Sequence, residues 1–191
     1  MKKYAIAAVL CAAALWANPY ESKQDEIDAV TAIGQKASGA LLKALGGNLQ
    51  AHLKAGGPMD AFEFCSNNAY ALTQDVDKSL GDDVSVKRIS IKYRNPANKP
   101  LEDEEPILRA LHLMNQNGVV PPREVIQDKG NGVYKYYKPL LINKEACLHC
   151  HGDISKNPKL AAAISEIYPA DRATGYKMND MRGAIVVEVH K

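Results

Sequence analysis

The 191-residue sequence has no internal repeat, no low-complexity run and no excess of glycine (13) or proline (10). Repeat and disordered architectures are thereby excluded. It also lacks a real surplus of charge. The 24 basic residues exceed the 22 acidic ones only through Lys2 and Lys3 at the start of the chain. No Lys/Arg cluster interleaved with aromatics remains beyond them, which excludes a nucleic-acid-binding face. No acid–base pair stands out as a catalytic constellation. A second C-x-x-C or an H-x-x-x-H pair is absent as well.

What is present begins with an export pattern. Lys2 and Lys3 precede the uncharged apolar stretch Tyr4–Trp16, and small residues lead to Ala17 and Asn18. The stretch is shorter than the roughly 20 residues that a membrane span needs, and it fits a secretory leader. Residues 1–17 are therefore expected to be a signal peptide, with cleavage after Ala17. The alternatives are an uncleaved anchor and a lipoprotein at Cys11, although Leu10 stands where lipoprotein processing wants a small residue. The remainder, 18–191, is expected to be one domain, exported to the periplasm. With 46% apolar residues, an ordinary folded core is expected.

From Ser22, the positions Ile27, Val30, Ile33, Leu41, Leu45, Leu49 and Leu53 fall on one helical stripe. Gly46-Gly47 is expected to interrupt it and Gly56-Gly57-Pro58 to end it. A second helix is expected from Met59 to about Leu80, with Phe62, Cys65, Ala69, Leu72 and Val76 inward. Val84–Tyr93 reads as a strand whose alternation changes phase between Val86 and Ile89, implying a bulge or burial on both faces. A turn at Arg94–Pro100 and a helix over Leu101–Asn117 follow. Val119–Gly132 reads as mostly loop, Val133–Ile142 as a strand, Lys159–Tyr168 as a helix and Gly183–Val189 as a final strand. Without regular βαβ spacing, the pattern predicts an α+β fold around an antiparallel sheet.

Chemistry concentrates in Cys147-Leu148-His149-Cys150-His151, the C-x-x-C-H signature of c-type haem attachment. Two thiols three residues apart can reach the two vinyl groups on one edge of a porphyrin. The adjoining imidazole of His151 then falls beneath the iron. Gly152 lets the backbone turn away without a side chain striking the ring. Two other readings compete: a redox disulfide between Cys147 and Cys150, and a zinc site completed by Cys65 and a histidine. Candidates for a second axial ligand are Cys65, His52, His112, His149, His190 and the methionines. On pattern alone Cys65 reads as a small buried hydrophobe before it reads as a ligand.

Several further motifs stand in order: FCSNNA at Phe64–Ala69, KRISIKYRNPANKP at Lys87–Pro100, YYKPL at Tyr136–Leu140, CLHCHG at Cys147–Gly152 and YPADRATGYKMNDMRGA at Tyr168–Ala184. On these the chain, from about Ser22 to Val189, resembles a haem-bearing PAS-like family catalogued as a domain of unknown function and typified by a cyanobacterial c-type haem protein. Lys177–Asp180 (KMND) departs from the glycine-aspartate turn more usual there. The resemblance implies a PAS-like antiparallel sheet with flanking helices and a long N-terminal helix, holding one haem in a pocket. It further implies axial ligation by His151 and, since Cys65 lies in the matching FCSNNA segment, by Cys65. Arg182 or Arg94 would pair with a haem propionate, the competing reading being an ion pair with Asp171 or Asp180. Tyr168 and Tyr176 would pack or line the pocket.

A thiolate ligand favours ferric iron and a low reduction potential. With both axial positions filled, no open site remains for substrate, so an enzyme is not expected. Two functions are: redox or gas sensing, with a diatomic gas ligand taking a position vacated by Cys65, or electron transfer with a periplasmic redox partner. A thiol oxidoreductase using Cys147 and Cys150 is the remoter alternative.

Overall fold

The computed structural model describes residues 19–191, so the expected signal peptide at residues 1–17 and Cys11 lie outside the described residues. The chain enters α1 (Pro19–Lys78), which is broken at Gly57, where φ is 75° and Pro58 follows. Glycine accepts this left-handed φ without a Cβ clash, and proline brings no N–H to the helical ladder. The break reverses the chain. His52 stacks on Phe64 with ring centroids 4.0 Å apart, although twelve residues of straight helix would separate them by about 18 Å. His52 Nδ1 also lies 2.7 Å from Asp60 Oδ2 across the bend. Thus α1 is a hairpin of two arms, divided where Gly56-Gly57-Pro58 predicts it. The expected interruption at Gly46-Gly47 does not occur: helix runs straight through both glycines.

Four strands follow: β1 (Val84–Ile89), β2 (Val125–Gly130), β3 (Val133–Leu141) and β4 (Met181–His190), ordered β1-β4-β3-β2 with every pairing antiparallel. Three helices sit between them: α2 (Glu105–Gln116), α3 (Glu145–His151) and α4 (Pro158–Ile167). The architecture is α+β, an antiparallel sheet with flanking helices and a long N-terminal helix, as the sequence predicts. One strand was not foreseen. β2 occupies part of the expected 119–132 loop and joins β3 through Gly130, Asn131 and Gly132, all with positive φ.

Each sheet face has its own cover. Val86, Tyr134, Tyr136, Ile185, Val187 and Val189 pack beneath Val30, Ala37 and Leu41 of the first arm of α1, and Val76 of the second arm reaches the same cluster. The approach is close at Gly34, where a Cβ would stand 2.2 Å from the Tyr136 ring. On the opposite face Ile89, Tyr137, Ala184 and Val186 meet Leu108 and Leu111 of α2. This explains the phase change in β1: the register against β4 is unbroken, with Val86 under α1 and Ile89 under α2. The strand is covered on both faces and carries no bulge. It ends at Ile89 rather than Tyr93, because Ser90 turns its N–H to Asn98 O (2.9 Å) and its hydroxyl to Arg182 O (2.8 Å).

The α2 face also buries charge. Lys135 and Glu104 are 3% and 0% exposed, with Nζ 3.0 Å from Glu104 Oε1 and 2.8 Å from Asp103 Oδ2. Burial opposes the Lys135 charge, but Asp103 and Glu104 outweigh it and hold its pKa up. Glu104 Oε2 accepts from Leu101 N–H (2.9 Å). Residues 101–104 therefore make a tight turn, and α2 starts at Glu105, later than expected.

Candidate functional site

α3 presents the C-x-x-C-H residues on a short helix that opens with Glu145, an acidic residue suited to the N-terminal end of the dipole. Cys147 and Cys150, three residues apart, share one helical face. Both are half-buried and free, as is Cys65. Cys147 packs against Ile142, Ala173 and Tyr176, and Cys150 against Phe62, Leu160 and Ile164. The helix ends at Gly152, whose N–H reaches Leu148 O (2.9 Å) and where a Cβ would lie 2.7 Å from that same oxygen. Glycine is thus required here by the helix's own last turn.

The segment before β4 is stitched to this end of α3. Gly175 N–H donates to Gly152 O and Tyr176 N–H to His151 O, each at 2.9 Å. The stitching fixes His151, whose Nδ1 is 2.8 Å from Ala173 O. A carbonyl can only accept, so Nδ1 carries the proton and Nε2 keeps its lone pair. Burial, followed by Arg182 and Arg94, pushes the imidazole well below its ordinary pKa. A neutral imidazole locked by a backbone carbonyl is the form that ligates a metal. The Tyr176 ring meets the His151 ring edge-on, with centroids 6.3 Å apart.

Cys65 lies on the second arm of α1, half-buried rather than sealed in the core. Burial pushes its thiol up, opposed by Arg88 and Arg94. The Cys150 thiol is also pushed up by burial, opposed by Arg94 and reinforced by Cys65. Cys65, Cys150, Arg88 and Arg94 are therefore gathered within electrostatic range of one another.

The two arginines singled out from the sequence have different surroundings. Arg94 forms an ion pair with Asp171, Nε to Oδ2 3.1 Å, and its Nη2 donates to Cys150 O at 2.6 Å. The competing ion-pair reading thus describes Arg94. Arg182 donates through Nη1 to Ser90 Oγ (2.7 Å) and Lys92 O (3.2 Å), while its buried Nε has no partner. Asp180 instead accepts from Lys177 N–H.

Arg88 was missed. It sits inside KRISIKYR, a charged residue in a strand covered on both faces, and that position was its only signal. One nitrogen donates to Ala69 O at 3.3 Å, and its buried Nε is unpartnered. Tyr176 Oη is a third buried orphan. Arg88 and Arg182 both act electrostatically on His151, and Tyr176 touches it. Buried polar atoms are normally paired, so this concentration beside His151 fits a bound group with anionic oxygens.

Of the other histidines, three are occupied elsewhere or exposed, whereas His112 is half-buried on α2 with its Nε2 unpartnered. His52 is held by Asp60, His149 is exposed, and His190 sits 3.0 Å from Glu188. Tyr168 stacks edge-on with Phe62. Among the described residues, no three His, Cys, Asp or Glu side chains are grouped to hold a metal ion, so the zinc tetrahedron is not assembled. A porphyrin iron makes no such demand, since four of its ligands are the macrocycle's own. The thiols, the imidazole and the orphaned cations fit a haem in their chemistry. No helix among the described residues is long and apolar enough to cross a membrane.

Comparison with known proteins adds two findings. A family model described as Tll0287-like matches residues 6–190. Among solved structures, the chain is similar to the cyanobacterial haem protein Tll0287, with 24% identity and a TM-score of 0.61 over 92% of this chain and 98% of that one. No curated protein matches.

Proposed function

Because the chain belongs to the Tll0287-like family, we propose that it is a haem protein carrying one covalent c-type haem through Cys147 and Cys150, with His151 and Cys65 as axial ligands. The observation that carries this reading is His151 Nδ1 tied to Ala173 O at 2.8 Å, which leaves Nε2 as donor beside a pair of free thiols on one helical face. The solved structure it resembles is of a haem protein. When bound, haem supplies a one-electron iron centre whose potential falls with a thiolate ligand. The chain's residues do the rest. Ala173 O orients His151, and Tyr176 packs its edge against the ring. Arg182 and Arg88, rather than Arg94, offer unpartnered guanidinium nitrogens to the propionates.

The role we propose is redox or gas sensing. The two axial candidates stand on separate elements, Cys65 on the arm of α1 beyond the Gly57 break and His151 on α3. Release of Cys65 would free that arm to shift, a displacement that a plain electron carrier does not need. On the pattern of residues 1–17, we also propose that the protein is exported to the periplasm.

Absorption spectra of oxidised and reduced protein, with and without carbon monoxide, test the ligand assignment. A ferric thiolate signature lost in Cys65→Ala, and carbon monoxide binding to the ferrous protein, support the sensor. Unchanged spectra in Cys65→Ala remove Cys65 as a ligand. Reversible redox cycling with no ligand exchange and no carbon monoxide binding returns the protein to electron transfer.

A further inference from the structure

Cys65 stands on an arm of α1 that is gripped from two sides. Phe62 and Phe64 are two residues apart, so they face nearly opposite sides of the helix. Phe62 packs with Leu160 and Ile164 of α4, a cluster that Cys150 also joins. Phe64 turns to the first arm, where the His52 ring stacks on it with centroids 4.0 Å apart and planes 20° from parallel. His52 is itself fixed across the break, its Nδ1 2.7 Å from Asp60 Oδ2. An ionised carboxylate can only accept, so Nδ1 is the donor. Gly56 makes room for this contact, since a Cβ there would lie 2.6 Å from Asp60 Cβ. The far end of the arm is anchored separately. Val76 joins the core between α1 and the sheet, and Asp77 Oδ1 accepts from Val86 N–H at 2.6 Å. Between the two ends, Ser66 O and Ala69 O accept long hydrogen bonds of 3.5 and 3.3 Å from Tyr168 and Arg88.

We propose that His52, Asp60 and Phe64 form a clamp across the Gly57 break that positions Cys65, and that the arm pivots at this clamp when Cys65 is released. The break supplies the freedom: Gly57 leaves the helical region at φ 75°, and Pro58 brings no N–H to carry the ladder across. The clamp supplies the restraint, at the end of the arm nearest Cys65. It backs the helix from the side opposite Phe62, so it holds Phe62 on α4 and Cys65 on the side of the C-x-x-C-H helix. His52 and Asp60 are thus positioning residues, acting through the helix that Phe64 and Cys65 share. Gly56 belongs to the same device, because a side chain there would displace Asp60. This inference rests on Cys65 as the second axial ligand and names what governs its release.

The test compares wild type, His52→Ala, Gly56→Ala and Cys65→Ala as haem-loaded full chains. Two readouts are taken: backbone hydrogen exchange, and carbon monoxide binding to the reduced protein. His52→Ala and Gly56→Ala should each speed exchange at residues 59–66 while residues 73–78 stay as protected as in wild type. Both should also raise carbon monoxide affinity about tenfold, the scale of one lost hydrogen bond with its ring contact. His52→Phe keeps a ring for Phe64 and should recover part of the wild-type behaviour. Unchanged exchange at residues 59–66 in both clamp variants overturns the proposal. Exchange that speeds up evenly along the chain overturns it as well, since the contact then serves global stability alone. Faster local exchange with unaltered carbon monoxide binding also overturns it when Cys65→Ala does raise that binding, because the clamp then steadies the helix end without setting Cys65. If Cys65→Ala leaves carbon monoxide binding and the spectra unaltered, the ligand assignment itself fails and the clamp's role falls with it. The Cys65→Ala control therefore tells the two failures apart.

Discussion

Lys135→Met should destabilise the protein by about 3 kcal/mol, the lower part of the range for breaking a buried ion pair. Methionine conserves most of the side-chain volume, so the loss is electrostatic rather than a cavity. The Lys135 side chain is 4% exposed and its ammonium lies 3.0 Å from the fully buried Glu104 and 2.8 Å from Asp103. Its removal leaves Glu104 with only Lys87, 2.8 Å away on a side chain that is 40% exposed. That residual partner keeps the expected cost from the top of the range. In urea the midpoint should fall by about 1.5 M, given a slope of about 2 kcal/mol per molar for a chain of this size. Adding Glu104→Gln removes the unpaired charge while keeping an acceptor for Leu101 N–H. The double variant should be more stable than the sum of the single effects by about 1–2 kcal/mol. The assay is urea unfolding followed by far-ultraviolet circular dichroism. A loss below about 0.5 kcal/mol for Lys135→Met, or simple additivity in the double variant, would refute the reading of Lys135 and Glu104 as an energetically coupled buried ion pair.

Gly34→Ala places a Cβ 2.2 Å from a Tyr136 ring that is itself fully buried. It should cost about 1–3 kcal/mol by overpacking. Gly39→Ala in the same helix arm meets nothing within 4 Å and should stabilise by up to about 1 kcal/mol through helix propensity; thermal melts of the two variants check the contrast. Acid should weaken the fold through Asp103, whose carboxyl the Lys135 hydrogen bond lowers from 3.8 to about 2. A depressed carboxylate stabilises fully above its unfolded pKa and ceases to do so as pH falls through the folded one, so the loss lies between about pH 4 and pH 2. With 29% of that side chain exposed, solvent screening leaves about 1 kcal/mol of effect. Unfolding midpoints across that window should show the decline, and Asp103→Asn should flatten it.

Helix and strand positions with strong periodicity were legible in the sequence. The Leu/Ile/Val stripe of α1, the break at Gly56-Gly57-Pro58 and the strand character of β3 and β4 follow from local rules. β2 was not legible, because VIQDKG has little alternation and its outer half is exposed. Its strand character comes from pairing with β3, which supplies hydrogen bonds that no local preference encodes. Gly46 and Gly47 were misread as an interruption, since packing of Leu41 and Leu45 on the sheet carries the helix through them. At the site, the attachment signature was explicit in Cys147, Cys150 and His151. The lock on His151 was not, because Ala173 offers a backbone oxygen that no side-chain pattern reveals. Arg88 was hidden for a related reason: its burial depends on which face of β1 it occupies after folding.

The central claim is tested most directly by a haem stain of the denatured protein on a gel. The chain should be produced with residues 1–17 in place, in a bacterium equipped for haem attachment. The account predicts a coloured band at about the mass of the chain that survives denaturation and is absent from Cys147→Ala/Cys150→Ala. A colourless band, from cells that mature a control cytochrome normally, would contradict it and bring the thiol-redox reading of Cys147 and Cys150 forward.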